Sequence, residues 1–418
     1  MADDGILAHG PVEQVELLEL HVRKSRYIQV TSGPVEASRP RMITRPLSLV
    51  FVVAFGMSTS FYLLVSAVPL YTTSVAAGGI GAGLATGALM LSTVAAELLT
   101  PRLVATFGYR LTLVVGLLLL GAPAFALITA STMAAILAVC LARGVGFGIT
   151  VVVGSALVAH LVPYGRRGEG LGLYGVVVGV PSVVALPLGV WLAGHAGYPP
   201  VFVAGGVAAL AGLAVVLGLP SPAPGSEKPV GVLVGMRMPA LVRPLIVFSA
   251  TAMAAGIVVT FVPLALPSTS GNLAAVALLA QAAAATLTRW RAGRYGDLHG
   301  PARLLMPGVL SAAVGMLALV LHTSPATVMV GMALFGAGFG VVQNASLALM
   351  YERVSSSGYG TVSALWNLAY DAGLGVGAAG FGAVAAQTGY STAFALTAAL
   401  ILAALAPAWY DRRSTRTR

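Results

Sequence analysis

Two ionisable side chains stand alone inside long apolar stretches of this 418-residue chain. Arg143 lies in the stretch LARGVGFGIT and Asp371 in WNLAYDAGLG. A charge in the hydrocarbon core of a membrane costs about 2.5–3.5 kcal/mol on insertion scales, so such a residue faces a cavity or a partner. Desolvation favours the protonated form of a carboxyl group, which makes Asp371 a candidate proton carrier. For each residue two interpretations are open: proton relay or substrate binding, or a hydrogen bond that holds helices together.

Asp371 belongs to a polar stripe. Ser363, Asn367 and Asp371 are spaced by four residues and therefore share one helical face, and Trp366 and Tyr370 flank that face. The second half of the chain carries further isolated polar groups in apolar runs, namely Gln281, Gln343 and Asn344. We expect these side chains to line a substrate cavity.

The sequence offers no constellation typical of an enzyme. The six histidines lie in tails, loops or segment ends, and the single Cys140 excludes an intramolecular disulfide. No nucleophile, general base and metal ligands cluster along the chain. We therefore predict no catalytic site, no metal and no cofactor.

The composition predicts an all-α membrane protein. The chain is 58% hydrophobic and only 9% charged, whereas a soluble domain carries about 25% charged residues. A span needs about 20 apolar residues. Twelve segments meet that length, at roughly 47–71, 79–99, 111–130, 132–158, 170–192, 200–219, 244–266, 272–288, 304–322, 326–349, 360–386 and 391–409. Glu97, near the end of the second segment, is expected at the membrane surface or in a cytoplasmic contact.

The two halves of the chain are copies in one register. Nine residues recur after an offset of 192, among them Gly108 and Gly300, Gly144 and Gly336, and Phe202 and Phe394. Such a duplication is typical of transporters built from parallel repeats. We predict an N-terminal extension at 1–45, a six-helix bundle at 46–220, a linker at 221–243, a second bundle at 244–410 and a basic tail at 411–418. For the extension two interpretations are open: residues 15–27 form a short amphipathic helix, or translation starts at Met42.

The basic residues predict the orientation in the membrane. Loops that follow even-numbered segments, and both tails, hold the Lys and Arg residues, whereas the other loops hold none. This pattern places Arg143 alone among the basic residues inside a segment and both termini in the cytoplasm, in the plasma or inner membrane. The net charge of +10 is then a signal of topology and of attraction to anionic lipid, not of nucleic-acid binding.

The turn after segment eight carries the most specific motif. The stretch GRYGDLHGPAR resembles the loop motif of the major facilitator superfamily. In that family the loop is a cytoplasmic latch whose carboxylate pairs with an arginine and a helix N-terminus. The alternative is a charged turn that only fixes topology. The first copy has Ala105 in place of the acid. The predicted gate consists of Gly293, Arg294, Asp297, Gly300 and Arg303, with Gly108 and Arg110 from the first copy.

Two glycine-rich segments extend the resemblance. Arg143 with Gly144 and Gly148 is similar to the segment-four motif of the family, and glycines four residues apart allow close helix packing. Gly175, Gly179 and Pro181 resemble the kinked segment five of proton-coupled drug exporters. The proline falls one residue late, and a later glycine pair is missing. An ordinary packing helix with a proline bend is the alternative.

The resemblance implies two six-helix bundles around a central cavity and transport by alternating access. It favours a monomeric, proton-coupled exporter of an amphipathic drug or natural product. An importer or facilitator of a small polar solute is the alternative. Segment one lacks the acidic residue that many proton-driven members carry, so the proton site would depend on Asp371 and Arg143.

Overall fold

The computed structural model describes residues 42–75, 78–219, 231–266 and 273–414. The predictions for the N-terminal extension up to residue 41 and for most of the linker lie outside these residues. The described residues are helical, as their apolar composition requires, because a backbone in lipid must satisfy its hydrogen bonds internally. Ten continuous helices are long and apolar enough to cross a membrane, and two of these contain a sharp kink, at Gly108 and Gly389.

Counted across those two kinks, the chain has the twelve predicted spans. They are α1 Arg45–Val75, α2 and α3 within Gly78–Ala126 and divided at Gly108, α4 Met133–Leu161, α5 Arg167–Ala196, α6 Tyr198–Val216, α7 Pro239–Ala265, α8 Leu273–His299, α9 Ala302–Ala318, α10 Pro325–Glu352, and α11 and α12 within Tyr359–Ala403 and divided at Gly389. The helix Leu405–Ser414 continues α12.

Four glycines make the tight reversals between consecutive spans. Gly108, Gly197, Gly300 and Gly389 have φ between 75° and 86°, and no other described residue has a positive φ. They form two pairs at the offset of 192 and occupy equivalent junctions in the two halves. Only glycine adopts this conformation without steric cost, which explains why the repeat preserves it.

The duplication also preserves helix contacts. A Cβ atom on Gly144 would overlap Leu89, and one on Gly148 would meet the carbonyl of Thr93. The equivalent Gly336 and Gly340 pack in the same way on Gln281 and Ala285, which are Leu89 and Thr93 plus 192. Each half thus forms its own bundle, α1–α6 and α7–α12, and each bundle contains the same close crossing of glycine faces.

Two predicted boundaries need correction. The second bundle begins at Pro239 instead of residue 244, after a short helical turn at Val232–Gly235, because Pro is well suited to the first helical turn. The predicted tail begins inside a helix: Asp411 is fully buried and pairs with Arg243 and Arg353 at 3.3 and 3.0 Å. This ion-pair cluster explains why the last helix extends beyond the apolar segment.

Candidate functional site

The turn after α8 joins the two bundles. The Asp297 carboxylate accepts hydrogen bonds from the backbone N–H groups of Gly168 and Glu169, at 2.7 and 2.8 Å. These groups are the free donors at the N-terminus of α5, where the helix dipole favours an anion. We call this side of the molecule, which also carries the inter-bundle linker, the linker end.

Close backbone approach brings the two partners together. A Cβ atom on Gly293 would overlap the backbone of Gly168. Asn344 donates to the Gly168 carbonyl at 2.9 Å, so it supports this contact and does not line a cavity as the sequence predicted. Arg294 lies 3.8 Å from Glu169 and is more than half exposed, which makes the pair a weak one.

The first copy of the motif has no such role. Gly108 makes the same reversal as Gly300, but Arg110 donates to the carbonyl of Leu217 within its own bundle. Ala105 supplies no acceptor for a helix N-terminus. The geometry of a latch is therefore confined to the second copy, where the exposed Arg303 follows the turn.

Arg143 is bound entirely inside the first bundle. Its guanidinium donates to the carbonyl of Leu120 at 2.6 Å and to the carbonyl of Ser60 at 3.1 Å. It is 3% exposed. The structure thus supports the alternative interpretation, an arginine that ties α4 to α1 and α3. The hydrogen bonds of Arg143 stay within the first bundle and do not reach Asp371.

The partner of Asp371 is Glu97 of α2. The two carboxyl groups face each other across the bundle interface within hydrogen-bonding reach. Glu97 is 0% exposed, and no donor from the described residues reaches either of its oxygens. Of the two expected places for Glu97, the structure favours a contact between the bundles over an exposed position at the membrane surface. The position of Glu97 at the end of an apolar segment gives no sign of a second acid opposite.

The rest of the polar stripe on α11 serves mainly to pack helices. The Ser363 hydroxyl contacts Ser155 and donates to the carbonyl of Val152 on α4 at 2.9 Å. Asn367 donates to the Ser363 carbonyl one turn earlier. The Ser363 contacts hold the bundles together at the linker end, whereas the Asn367 bond lies within its own helix.

A second arginine occupies the interface between the bundles. Arg289 was predicted to lie in a loop, but α8 continues to His299 and places it two turns before Asp297. Its guanidinium carbon lies 5.7 Å from the ring centre of Trp366, and its NH1 group is 3.5 Å from the Gln343 oxygen. Hydropathy gives the wrong boundary here, because the apolar segment ends before the helix does.

Trp366 and Tyr370 belong to a stack of parallel rings. Trp366 stacks on Phe248 with ring centres 4.2 Å apart and planes 6° apart. Tyr370 is parallel to both rings at just over 6 Å. The indole N–H donates to Ser346 at 3.1 Å, which fixes the plane of the stack. Next to Arg289 there is consequently a rigid aromatic surface.

The glycines of α5 make room for this arginine. A Cβ atom on Gly175 would overlap the Arg289 guanidinium, and one on Gly179 would lie 3.9 Å from Thr286. The helix continues through Pro181 up to Ala196. Gln281, one of the predicted cavity residues, is buried where α8 crosses α10.

The cross-bundle contacts described above all fall in the half of the spans nearest the linker end. Beyond them, Val184 on α5 is 57% exposed, and Cβ atoms on Gly194, Gly375 and Gly380 would have no neighbour within 4 Å. The bundles therefore meet at the linker end and separate towards the opposite end. A separate small cleft within the first bundle is lined by Leu64, Val68, Leu89, Cys140 and Arg143.

Known proteins agree with this architecture. The sequence matches the family description Major Facilitator Superfamily over residues 50–287 and 244–418. The chain belongs to the major facilitator superfamily. It is thus a multi-pass membrane transporter of the secondary type and not an enzyme. Transporters of this superfamily bind small-molecule substrates. No curated protein sequence matches the chain.

Solved transporter structures share the fold at low sequence identity. A structure of the E. coli fucose:proton symporter FucP superposes with a TM-score of 0.71 and 14% identity, over 89% of this chain and 99% of that one. The proton:xylose symporter XylE superposes with a TM-score of 0.73 and 13% identity, over 88% of this chain and 95% of that one. The human organic anion transporter MFSD10 gives 0.69 and 18%, over 87% and 99%. At these identities the likeness concerns the fold alone.

Proposed function

We propose that this transporter is proton-coupled and that the carboxyl pair Glu97–Asp371 carries the proton. Two ionised carboxylates in contact repel each other, whereas one shared proton turns the repulsion into a hydrogen bond. Among the described residues Glu97 has no other donor, which is the observation that carries the proposal. The other ionisable groups in electrostatic contact with the pair or its neighbours are Tyr62, Tyr370 and Arg289.

The location of the pair provides the coupling. Glu97 belongs to the first bundle and Asp371 to the second, so any rocking of the bundles that opens the linker end pulls the two groups apart. Each carboxyl then meets water and ionises. Protonation therefore favours the state closed at the linker end, and deprotonation favours the open one.

We further propose that the linker end faces the cytoplasm and that the protein exports an amphipathic organic molecule across the plasma membrane. The basic loops support the orientation. A predominantly apolar interface supports an amphipathic solute. An importer of a small polar solute has less support, because Ser363 and Asn344 are occupied by contacts between the bundles. A reporter fused after Arg418 should be active only in the cytoplasm, and a periplasmic signal would contradict this orientation.

Everted membrane vesicles provide the test of coupling. Vesicles with an imposed pH gradient are supplied with naphthoate, naphthamide or ethidium, which are amphipathic probes of three charge types. We expect uphill accumulation of at least one probe, abolished by an uncoupler and lost in both Asp371→Asn and Glu97→Gln. Exchange without a gradient should persist, because an amide can donate the hydrogen bond that the shared proton supplied.

Arg102→Gln is the matched control, since Arg102 is exposed at the same end and contacts neither carboxyl. Accumulation that resists the uncoupler, or that survives in both carboxyl variants, would place the coupling elsewhere or leave a facilitator.

A further inference from the structure

Arg289 is a buried cation with few hydrogen-bond acceptors around it. Its buried Nε atom has no hydrogen-bond partner among the described residues, and its NH1 contact to Gln343 is long at 3.5 Å. None of the ion pairs among the described residues includes it. A guanidinium in a low-dielectric interface requires a paired anion or several acceptors to offset the loss of hydration. Arg143 has such acceptors in its carbonyls, and Arg289 does not.

The surroundings of Arg289 suit an anion. The hydroxyl-bearing rings of Tyr62, Tyr174 and Tyr370 lie close enough for electrostatic interaction with the guanidinium. The Tyr174 hydroxyl is also buried without a partner. These groups come from α1, α5 and α11, so donors converge on Arg289 from both bundles. Asp371 interacts electrostatically with Tyr62 and Tyr370. No carboxylate from the described part of the chain forms an ion pair with Arg289 itself.

The aromatic surface beside the cation adds a preference for shape. Trp366, Tyr370 and Phe248 present nearly parallel rings, and the guanidinium lies over Trp366. A planar ring that carries a negative group fits this arrangement, because its anion would reach the guanidinium while its flat body contacts the rings.

We propose that Arg289 binds the anionic group of the transported molecule and that this molecule is an aromatic or similarly flat amphipathic carboxylate or sulfonate. The inference rests on the proposed function only in that the bound molecule is the transported one. It concerns charge selectivity and does not require coupling to protons.

Binding to the purified protein, without any gradient, tests the proposal. Calorimetry would compare naphthoate, naphthalene sulfonate and the neutral naphthamide. A hydrogen-bonded charge pair contributes about 1.5–3 kcal/mol, so we expect at least roughly tenfold tighter binding of an anion than of the amide. In Arg289→Gln the difference should vanish. Arg291→Gln, which removes an exposed cation two residues away on the same helix, should leave it unchanged.

Two further variants keep the test decisive if Arg289→Gln does not fold. Arg289→Lys retains the charge and should retain part of the preference. Gly175→Ala leaves the arginine in place but displaces its guanidinium, and should reduce the preference for the anion without touching the rings. Naphthoate and the sulfonate distinguish the two anion chemistries.

Equal affinity for the anions and the amide in the wild-type protein would overturn the proposal. Failure of both anions to bind at millimolar concentration would also overturn it. An anion preference that survives Arg289→Gln would also overturn it. Since no gradient is used, these outcomes are independent of the coupling test on Glu97 and Asp371.

Discussion

At the scale of single residues, position in the fold separates side chains of the same type. Arg143 and Arg289 are both arginines in membrane spans, yet backbone carbonyls satisfy the first and leave the second short of acceptors. The role proposed for Glu97 and Asp371 depends on their contact with each other. The properties of a buried charge therefore depend more on the groups that contact it in the fold than on its isolation in an apolar stretch of sequence.

Two glycines allow the effect of backbone strain to be measured without an effect of packing, because neither has a neighbour close to the place of a Cβ atom. Gly389 has a φ of 78°, Gly375 is an ordinary helical residue, and a Cβ atom on either would have no neighbour within 4 Å. We expect Gly389→Ala to lower the free energy of unfolding by about 1–3 kcal/mol, because its φ of 78° and ψ of 164° lie in a region that essentially only glycine adopts. Gly375→Ala should be neutral or stabilising by up to about 1 kcal/mol. Thermal unfolding in detergent measures both, and equal shifts would contradict the explanation of the kink.

Asp411 provides a second prediction at this scale. Its buried carboxylate pairs with Arg243 and Arg353, whose side chains are 28% and 16% exposed. Asp411→Ala would leave two cations without their anion, at a cost of about 2 kcal/mol, below the usual value for a fully buried pair because the arginines retain some water. The unfolding midpoint should fall, whereas the exposed control Arg102→Gln should leave it unchanged. No change in Asp411→Ala would mean that the cluster contributes only orientation.

At the scale of elements, the junction between α8 and α5 joins the two bundles at the linker end, and we expect it to contribute to closure of that end. Asp297 contributes two charge-assisted hydrogen bonds, and the Gly168–Gly293 contact allows the backbones to approach. Arg294 adds one long, exposed ion pair. The contribution to closure should therefore come from the carboxylate at the helix N-terminus.

Cysteine accessibility tests this ranking. Cys140 is the only cysteine, so a Cys140→Ser background carries a single reporter, Ser155→Cys, at the contact between α4 and α11. Asp297→Asn should raise its rate of labelling at least roughly tenfold, from the loss of about 1.5 kcal/mol or more. Arg294→Gln should change it less than about fivefold, as expected for an exposed pair. The reverse order would show that the turn acts through its cations.

At the scale of the whole molecule, the bundles form a closed linker end and a separated opposite end. The carboxyl pair and Arg289 lie at the same interface between the bundles. Glu97 on α2 belongs to the first bundle, and Asp371 on α11 and Arg289 on α8 belong to the second. A proton and an anion would thus be handled by different side chains. Their charges then add or cancel according to the direction of exchange.

Naphthoate flux should therefore depend on the membrane potential. Moving one charge across 100 mV is worth about 2.3 kcal/mol, so export of an anion in exchange for one proton gains about 4.6 kcal/mol. This energy supports a gradient on the order of a thousandfold. Joint import of an anion and a proton moves no net charge, and a facilitator that carries the anion alone moves one negative charge per cycle.

Proteoliposomes with a potassium diffusion potential distinguish the three cases. Asp371→Asn should convert a two-charge response into a one-charge response. Flux that ignores the potential would contradict export.

The apolar composition and the offset of 192 predicted the twelve spans and the two bundles, and the resemblance of the stretch GRYGDLHGPAR indicated the family. The matching family description and fold confirm both. These properties follow from local rules: span length is set by the bilayer, and an internal repeat is visible as identity. The offset also predicted that Gly108 and Gly300 are equivalent, and glycine permits the positive φ that both adopt.

The partners of the buried charges were beyond the sequence. The contact of Glu97 with Asp371 joins residues far apart in the chain. The polar stripe on α11 indicates which face of that helix is polar, but nothing in the sequence of α2 indicates that Glu97 lies opposite it. Arg289 resembled a loop residue because hydropathy ends where polarity begins, while the helix continues. The sequence by itself determined the elements and their order. Only the tertiary structure decided which charges meet, because that depends on the packing of one bundle against the other.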